Sequence, residues 1–354
     1  MRASWMLTAA LTTTVAALPG CGEPIAVRTP AAVDTTLVLS NVATGVILGL
    51  YRELDGKAAA FDTAVGQLAG NPTDANLAAA QAAWRTARAP WEQSEGFLFG
   101  PVETGGYDPA LDTWPFNLVD AQTLLAGSDP ITPTVVASLD GAVKGFHAIE
   151  YVIFGQDGQK HAADLTPREL EYLVALASDL ATSAHQLRME WEPSGGNFVD
   201  QLGQAGVASD VYFTRRAALQ ELVNGMLGIC AEVADGKIAE PFESRNLELE
   251  ESRFSNNSRT DFVNNLTGAA TIYTGSYAGQ NYGGLSAVIV GLRPDLDRKL
   301  RAQFDSAIAA LGRMSPSFGQ AVLDNRSSVE HAQRAVHDVA ETLEHEILPL
   351  LHRP

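Results

Sequence analysis

The sequence predicts an all-α protein: two helical-bundle-like domains in tandem, with a site at their interface. Three observations predict it. Hydrophobic residues make up 46% of the chain, enough for a sizeable core. Ala and Leu are abundant and β-branched runs are short, which favours helix over sheet. Apolar residues recur at helical spacing, and no segment alternates convincingly at period two. With 354 residues, the chain is long for one domain and comfortable for two.

From Thr36 to Leu68 the residues Leu37, Val38, Val42, Val46, Leu50 and Leu54 fall near i, i+4 spacing. Asn71-Pro72-Thr73-Asp74 breaks the pattern, and Thr73 or Asp74 caps a helix through Leu77, Ala80, Trp84 and Arg88. Pro90 kinks or interrupts it before Trp91–Phe99. Irregular chain follows around Gly100-Pro101 and Gly105–Pro109. Asp112-Thr113-Trp114-Pro115 opens a short helical piece, and a turn at Asp129–Pro133 precedes one helix from Thr134 to Phe154. The Gly- and polar-rich stretch Gly155–Thr166 reads as a domain boundary. Thr166-Pro167-Arg168-Glu169 starts a helix that runs to about Trp191. Glu192–Gly206 is a loop. Asp210–Lys237 is a long helix whose interior Gly225 and Gly228 suggest close packing. Phe242–Ser258 is polar and irregular, and Asp261–Tyr273 is helical. Gly275–Gly284 is rich in Gly and Tyr. Two further helices span Pro294–Leu311 and about Val329–Leu351. The expected division is therefore 1–20 signal peptide, 21–33 tether, 34–158 N-terminal helical domain and 159–354 C-terminal helical domain.

The N-terminus reads as an export signal. Arg2 supplies positive charge and Met6–Leu18 is an uncharged apolar run, too short to span a bilayer. It ends in Leu18-Pro19-Gly20-Cys21, which resembles a bacterial lipobox, with Pro19 where a small or hydroxyl residue is usual. Cys21 is the expected lipidation site. Cys230, the other cysteine, is then a small buried residue; a Cys21–Cys230 disulfide is the rival. No later segment reads as long and apolar enough to cross a bilayer. A net charge of −18 repels phosphate backbones, so nucleic acid is not an expected partner.

His147 and Glu150, in Gly145-Phe146-His147-Ala148-Ile149-Glu150-Tyr151, share a helix face and can ligate one ion together. They read equally as a core hydrogen bond. Zincin His-Glu-x-x-His is absent, and Tyr151 stands where the inverted form needs His. Trp91 and Glu95 share another face, beside Arg88 and Glu92. Glu251–Ser258, with Asp261, Asn264 and Asn265, is dense in hydrogen-bonding groups and reads either as a site or as an elaborate helix cap. His337, Glu341 and His345 form a stripe that reads as solvated.

Taken in order, Trp91–Glu95 with Phe97-Leu98-Phe99-Gly100-Pro101, then Asp112-Thr113-Trp114-Pro115, then Gly145-x-His147-x-x-Glu150, then Glu251-Ser252-Arg253-Phe254-Ser255 with Asn257, Ser258, Asp261, Phe262 and Asn265 resemble the imelysin family of bacterial envelope proteins. The resemblance spans nearly the whole mature chain. It implies a two-domain helical fold with its site around the Gly-x-His-x-x-Glu helix. It also implies an envelope lipoprotein facing the periplasm, anchored in the outer membrane and tied to iron uptake. The expected ligand is a metal ion or metal-bearing molecule, with iron, zinc and copper undistinguished. His147, Glu150, Glu95 and Asp112 are the expected metal ligands, and Trp91, Trp114, Arg253 and Ser255 the expected contacts to a bound molecule. An envelope iron-uptake partner is expected too. The alternatives are a metallopeptidase, the activity behind the family name, and a non-metal envelope interaction module in which His147 and Glu150 are a buried structural pair.

Overall fold

Asp34 caps the first helix by accepting hydrogen bonds from the Thr36 and Leu37 amides. The computed structural model describes residues 33–352, so the expected signal peptide, Cys21 and nearly all of the tether lie outside the described residues. Helix runs from Thr35 to Gly70, wound as a π-helix over Val42–Ile47. Contrary to expectation, this 36-residue stretch is long and apolar enough to cross a bilayer, with mean hydropathy 1.3 over its most apolar window. More than half of that window is buried in protein. Leu50, Tyr51, Leu54, Phe61, Val65 and Leu68 recur at helical spacing and pack against the helices Asp74–Ser94 and Pro167–Trp191. It is a core helix.

The expected all-α class holds: helices dominate, and the strands among the described residues are Ser276–Tyr277 and Gln280–Asn281. Residues 33–354 cluster as one compact unit. Pro167–Trp191, beyond the expected boundary at 158/159, packs on both Leu48–Gly70 and Gly145–Phe154. One apolar core contains residues from both sides of that boundary. The Gly-rich stretch therefore turns the chain within a shared core.

Several elements differ from the sequence reading. Pro90 sits inside a helix that continues to Ser94, then tightens into a turn at Glu95–Phe97. Asp112 ends a short helix, Tyr107–Asp112, and Asn117 caps the following one, Leu118–Ala126. Thr134–Phe154 is not one helix. It divides into Pro133–Ala137, a tight turn at Gly141–Val143, and Gly145–Phe154. The cause is steric and tertiary: Gly145 has φ +69°, and a Cβ there would lie 2.2 Å from the Leu111 carbonyl oxygen. Only glycine tolerates both demands. Short helices also form at Phe198–Gly203, within the expected loop, and at Leu285–Leu292 and Phe318–Asp324.

The long helix starts at Arg215, capped by Thr214, and passes at Glu232 into a π-helical segment ending at Ile238. Close packing holds at Gly225, whose Cβ would meet the Gly96 carbonyl at 2.4 Å, but not at Gly228, which faces open space. Tyr277 and Tyr282 press on Gly49 and Gly45 of the first helix and so clamp the core. His345 falls on a π-helical turn, Leu343–Ile347, and His337 lies 3.3 Å from Asp235, an exposed pair.

Gly145→Ala is expected to destabilise the fold by more than about 1 kcal/mol, read as a lower urea midpoint; an unchanged midpoint would contradict the close approach to Leu111.

Candidate functional site

Four separated segments converge on one buried guanidinium. Arg88 is fully buried in the helix Asp74–Ser94. Its Nη1 lies 2.6 Å from Asp112 Oδ1, its Nη2 2.6 Å from Glu92 Oε1 and 3.3 Å from Glu251 Oε1, and its Nε 3.4 Å from Asp261 Oδ2. The Glu92 and Asp261 contacts are charge contacts without hydrogen-bond alignment. Asp112 is held from its other side by Trp91, whose Nε1 donates to Oδ2 at 2.6 Å.

His147 fits between two carboxylates. Its Nε2 lies 3.2 Å from Asp112 Oδ1 and its Nδ1 3.3 Å from Glu150 Oε2. Glu150 is further fixed through Oε1, which accepts from the Ser255 amide at 2.8 Å and hydroxyl at 2.6 Å. Trp114 covers the imidazole with ring centroids 5.0 Å apart. Tyr151, in the place of an inverted zinc motif's second His, stacks with Phe116 and Phe254.

A second cation enters from the π-helical segment. Lys237 Nζ lies 2.7 Å from Glu95 Oε2, 3.0 Å from Glu251 Oε1 and 3.8 Å from Glu92 Oε2. Asn265 Nδ2 bridges Glu92 and Glu95 at 2.8 and 2.7 Å. π-Helical turns recur at functional sites because the extra residue redirects side chains. Here the winding accompanies a lysine aimed into a buried acidic cluster.

Six carboxylates, those of Glu92, Glu95, Asp112, Glu150, Glu251 and Asp261, thus share a buried region. Among the described residues, Arg88, Lys237 and His147 are the cations within 4 Å of them. Burial disfavours charge and pushes Glu92 up to about 8, against the pull of Arg88 and Lys237. Glu95 also rises well above its usual range, from burial and then from Glu92. Burial lifts Asp261 to about 6. Asp112 goes the other way: burial opposes, but Arg88 and His147 hold it well below the carboxylate range. For His147, burial and Arg88 act to lower the value. The Asp112 charge and the hydrogen bonds to Asp112 and Glu150 outweigh them and raise it to about 9. The ring thus holds its second proton more tightly than a free imidazole, and metal ligation requires loss of that proton.

Beside this network lies a cavity of about 380 Å³, walled by Glu95, Asp108, Asp112, Trp114, Lys237 and Glu251 among others. Burial and then the neighbouring Asp112 lift Asp108 to about 6. Glu251 Oε2 is buried without any hydrogen-bond partner. Ligating atoms of Asp112, His147 and Glu251 lie within 4.8 Å of one another, as do those of Glu92, Glu95 and Asp112.

Of the expected site residues, Glu95, Asp112 and Trp114 line the cavity, and His147 and Trp91 are buried behind its wall, each against Asp112. Glu150 and Ser255 bind each other behind the imidazole and are absent from the cavity wall. Arg253 is not brought to the cavity; its guanidinium lies over the Phe254 ring at 4.5 Å. Sequence reasoning did not single out Lys237 or the central place of Arg88. A lone Lys among Val233, Ala234 and Ile238 was the available signal.

The imelysin family profile matches residues 47–345. The chain belongs to the imelysin family. It is 33% identical over 325 residues to iron-regulated protein A of Synechococcus elongatus, covering 90% of this chain and 88% of that protein. A crystal structure of an iron-regulated protein A precursor from Parabacteroides distasonis superposes with a TM-score of 0.82 at 24% identity, covering 93% of this chain and 97% of that one. An imelysin-like protein from Psychrobacter arcticum gives a TM-score of 0.73 at 14% identity, with 90% and 95% covered. The family resemblance and the helical class expected of this imelysin chain are both borne out.

The raised groups set a pH dependence. His147 holds its proton more tightly folded, at about 9, than unfolded, at about 6.5. Its stabilisation is complete below the unfolded value and disappears as pH rises through the folded one. Glu92, raised to about 8, acts in the same direction. The urea midpoint of chelator-treated protein is therefore expected to fall between about pH 6.5 and 9, and His147→Gln should flatten part of that fall. A level profile in the unsubstituted protein would contradict the assignment.

Proposed function

We propose that this imelysin binds a metal ion, or a small metal-bearing molecule, in the cavity beside His147 and serves iron acquisition at the cell envelope. The observation that carries the reading is Glu251 Oε2, a buried carboxylate oxygen without a partner on the cavity wall. It belongs to a residue whose ligating atoms lie within 4.8 Å of those of Asp112 and His147. A buried unpaired carboxylate oxygen is unfavourable unless something fills its coordination. The donor set, carboxylates with one imidazole, suits iron, zinc or copper. Asp112, Glu251 and His147 are the proposed ligands, with Glu95 the further donor. Glu150 acts one step behind: bound by Ser255, it orients His147, as carboxylates behind metal-binding imidazoles do. Trp91 positions Asp112, and Trp114 forms the wall over the ring. The name of the Synechococcus relative, iron-regulated protein A, supports iron as the cargo. Export, lipidation at Cys21 and an outer-membrane position facing the periplasm complete the proposal, with an envelope iron-uptake partner receiving or supplying the cargo.

Calorimetric titration of chelator-stripped protein with iron, zinc and copper salts tests it. Glu251→Gln and His147→Ala should each weaken binding at least about tenfold; equal binding by all three proteins would sink the site. Lys237 competes for the same carboxylates, so Lys237→Met should tighten cation binding. Unchanged or weaker binding in that variant would show that Lys237 does not oppose the cargo.

A further inference from the structure

Seven of the ten exposed large apolar side chains among the described residues lie on or beside the helices Thr35–Asn41, Phe198–Gly203 and Leu285–Leu292, the first of which contacts the other two. Three stand on a single loop. The Gly206 amide donates to the Tyr212 carbonyl and closes this loop at its base. Val207, Val211 and Phe213 project from it, with Phe213 80% exposed. The loop follows the helix Phe198–Gly203, and Gly203 packs on Ser40 of the first helix segment, Thr35–Asn41. At the other end of that segment, Val33 touches Gly291, which brings exposed Val290 and Leu292 alongside exposed Val33 and Leu37. Seven helical residues separate these two groups, about 10 Å by the rise per residue.

Exposed apolar side chains gathered this way mark an interaction surface. Two features identify the partner. The chain enters the described fold at Val33, at this same end, and residues 22–32 separate it from the expected lipid anchor at Cys21. Fully extended, that spacer reaches about 40 Å, so an anchored molecule keeps this end near the bilayer. Arg215, Arg216 and Arg293 are exposed here and balance exposed Asp34, Asp210 and Asp295, with Arg293 paired to Asp295 at 2.6 Å. In a chain of net charge −18, an end of balanced charge is repelled less by anionic lipid headgroups than the rest of the surface.

We propose that this end is a membrane-docking surface, with the Val207–Phe213 loop and the Leu37/Leu292 patch inserted at the lipid headgroup boundary. Apolar side chains flanked by arginine suit that boundary. Docking is independent of metal binding. It would hold the protein in a fixed orientation on the bilayer, beyond what a flexible tether supplies.

The test uses the unlipidated chain from Gly22 onward, which contains the whole compact unit. Cys230 is buried, so a single introduced cysteine takes an environment-sensitive fluorophore. Phe213→Cys and Leu292→Cys are labelled, with Val119→Cys as control. Val119 lies on the helix Leu118–Ala126, beside the start of Pro167–Trp191 and far from the end that leads to the loop. With vesicles of phosphatidylethanolamine and phosphatidylglycerol, emission is expected to shift to the blue at 213 and 292 and to stay constant at 119. No shift at 213 and 292, or equal shifts at all three, overturns the proposal. In flotation with the same vesicles, Phe213→Ser combined with Leu292→Ser should lower the bound fraction at least about fivefold at an unchanged melting temperature. If the unsubstituted chain sediments as a dimer that the serine pair dissolves, the surface joins two copies and the proposal fails.

Discussion

The site depends on one buried charge. Arg88 is surrounded by carboxylates from Glu92, one turn on in its own helix, and from Asp112, Glu251 and Asp261, which reach it from three other parts of the chain. Removing one partner from a buried ion pair costs about 3–5 kcal/mol, because the charge left behind is uncompensated. The guanidinium therefore ties the helices Asp74–Ser94, Tyr107–Asp112 and Ser258–Thr274 and the Glu251 loop into one arrangement. Trp84 and Phe146 lie 5.7 and 5.4 Å from it and close the remaining space with aromatic surface. Well-packed apolar side chains would generally serve stability as well or better. The excess of acid over base, with Glu251 Oε2 left without a partner, is what a purely structural network lacks reason to keep.

Backbone contact, more than side-chain packing, brings the network together. Gly145 lets the Leu111 carbonyl approach, and so the next residue, Asp112, meets His147. Gly268 lies where a Cβ would be 2.0 Å from the Gln93 carbonyl, so the helix Ser258–Thr274 crosses the Arg88 helix closely enough for Asn265 to reach Glu92 and Glu95. Gly225 does the same against Gly96, at the turn that carries Glu95. Each approach places a polar residue within hydrogen-bond reach of a segment distant in sequence.

This division explains what the sequence made legible. Helices with a clear apolar stripe, such as Leu48–Gly70 and Pro167–Trp191, are read correctly because periodicity and capping are local. The break before Gly145 is not read, since its reason, the Leu111 carbonyl, is far away in the chain. The stretch Gly155–Thr166 shows turn chemistry, and turn chemistry alone does not say whether the chain leaves a domain or returns to its core. The candidate site is legible in part. His147, Asp112 and Glu95 stand in recognisable motifs, whereas Arg88 looks like any mid-helix arginine until four acids converge on it. Ser255 and Glu150 are real neighbours, but each completes the other's hydrogen bonding.

The internal cations explain how such a cavity persists. Two carboxylates 4 Å apart repel by about 4 kcal/mol at an effective dielectric near 20, so the cluster would be costly to hold ionised without charge balance. Arg88 and Lys237 supply permanent charge, and protonated His147 spans Asp112 and Glu150. Burial raises Glu92 and Glu95 and so disfavours their charged forms. On the proposed reading, a cation entering a site balanced in this way would take the place of protons and of the Lys237 ammonium. Exchange lowers affinity relative to an uncompensated acidic cage and makes it depend on pH, because protons compete for the same oxygens and for the imidazole. Peptide cleavage would ask for a different donor set. A hydrolytic zinc centre keeps its imidazole ligands neutral and an open position for water. Here His147 is the histidine of the cluster, and Tyr151, in the place of a second, is packed between aromatic rings.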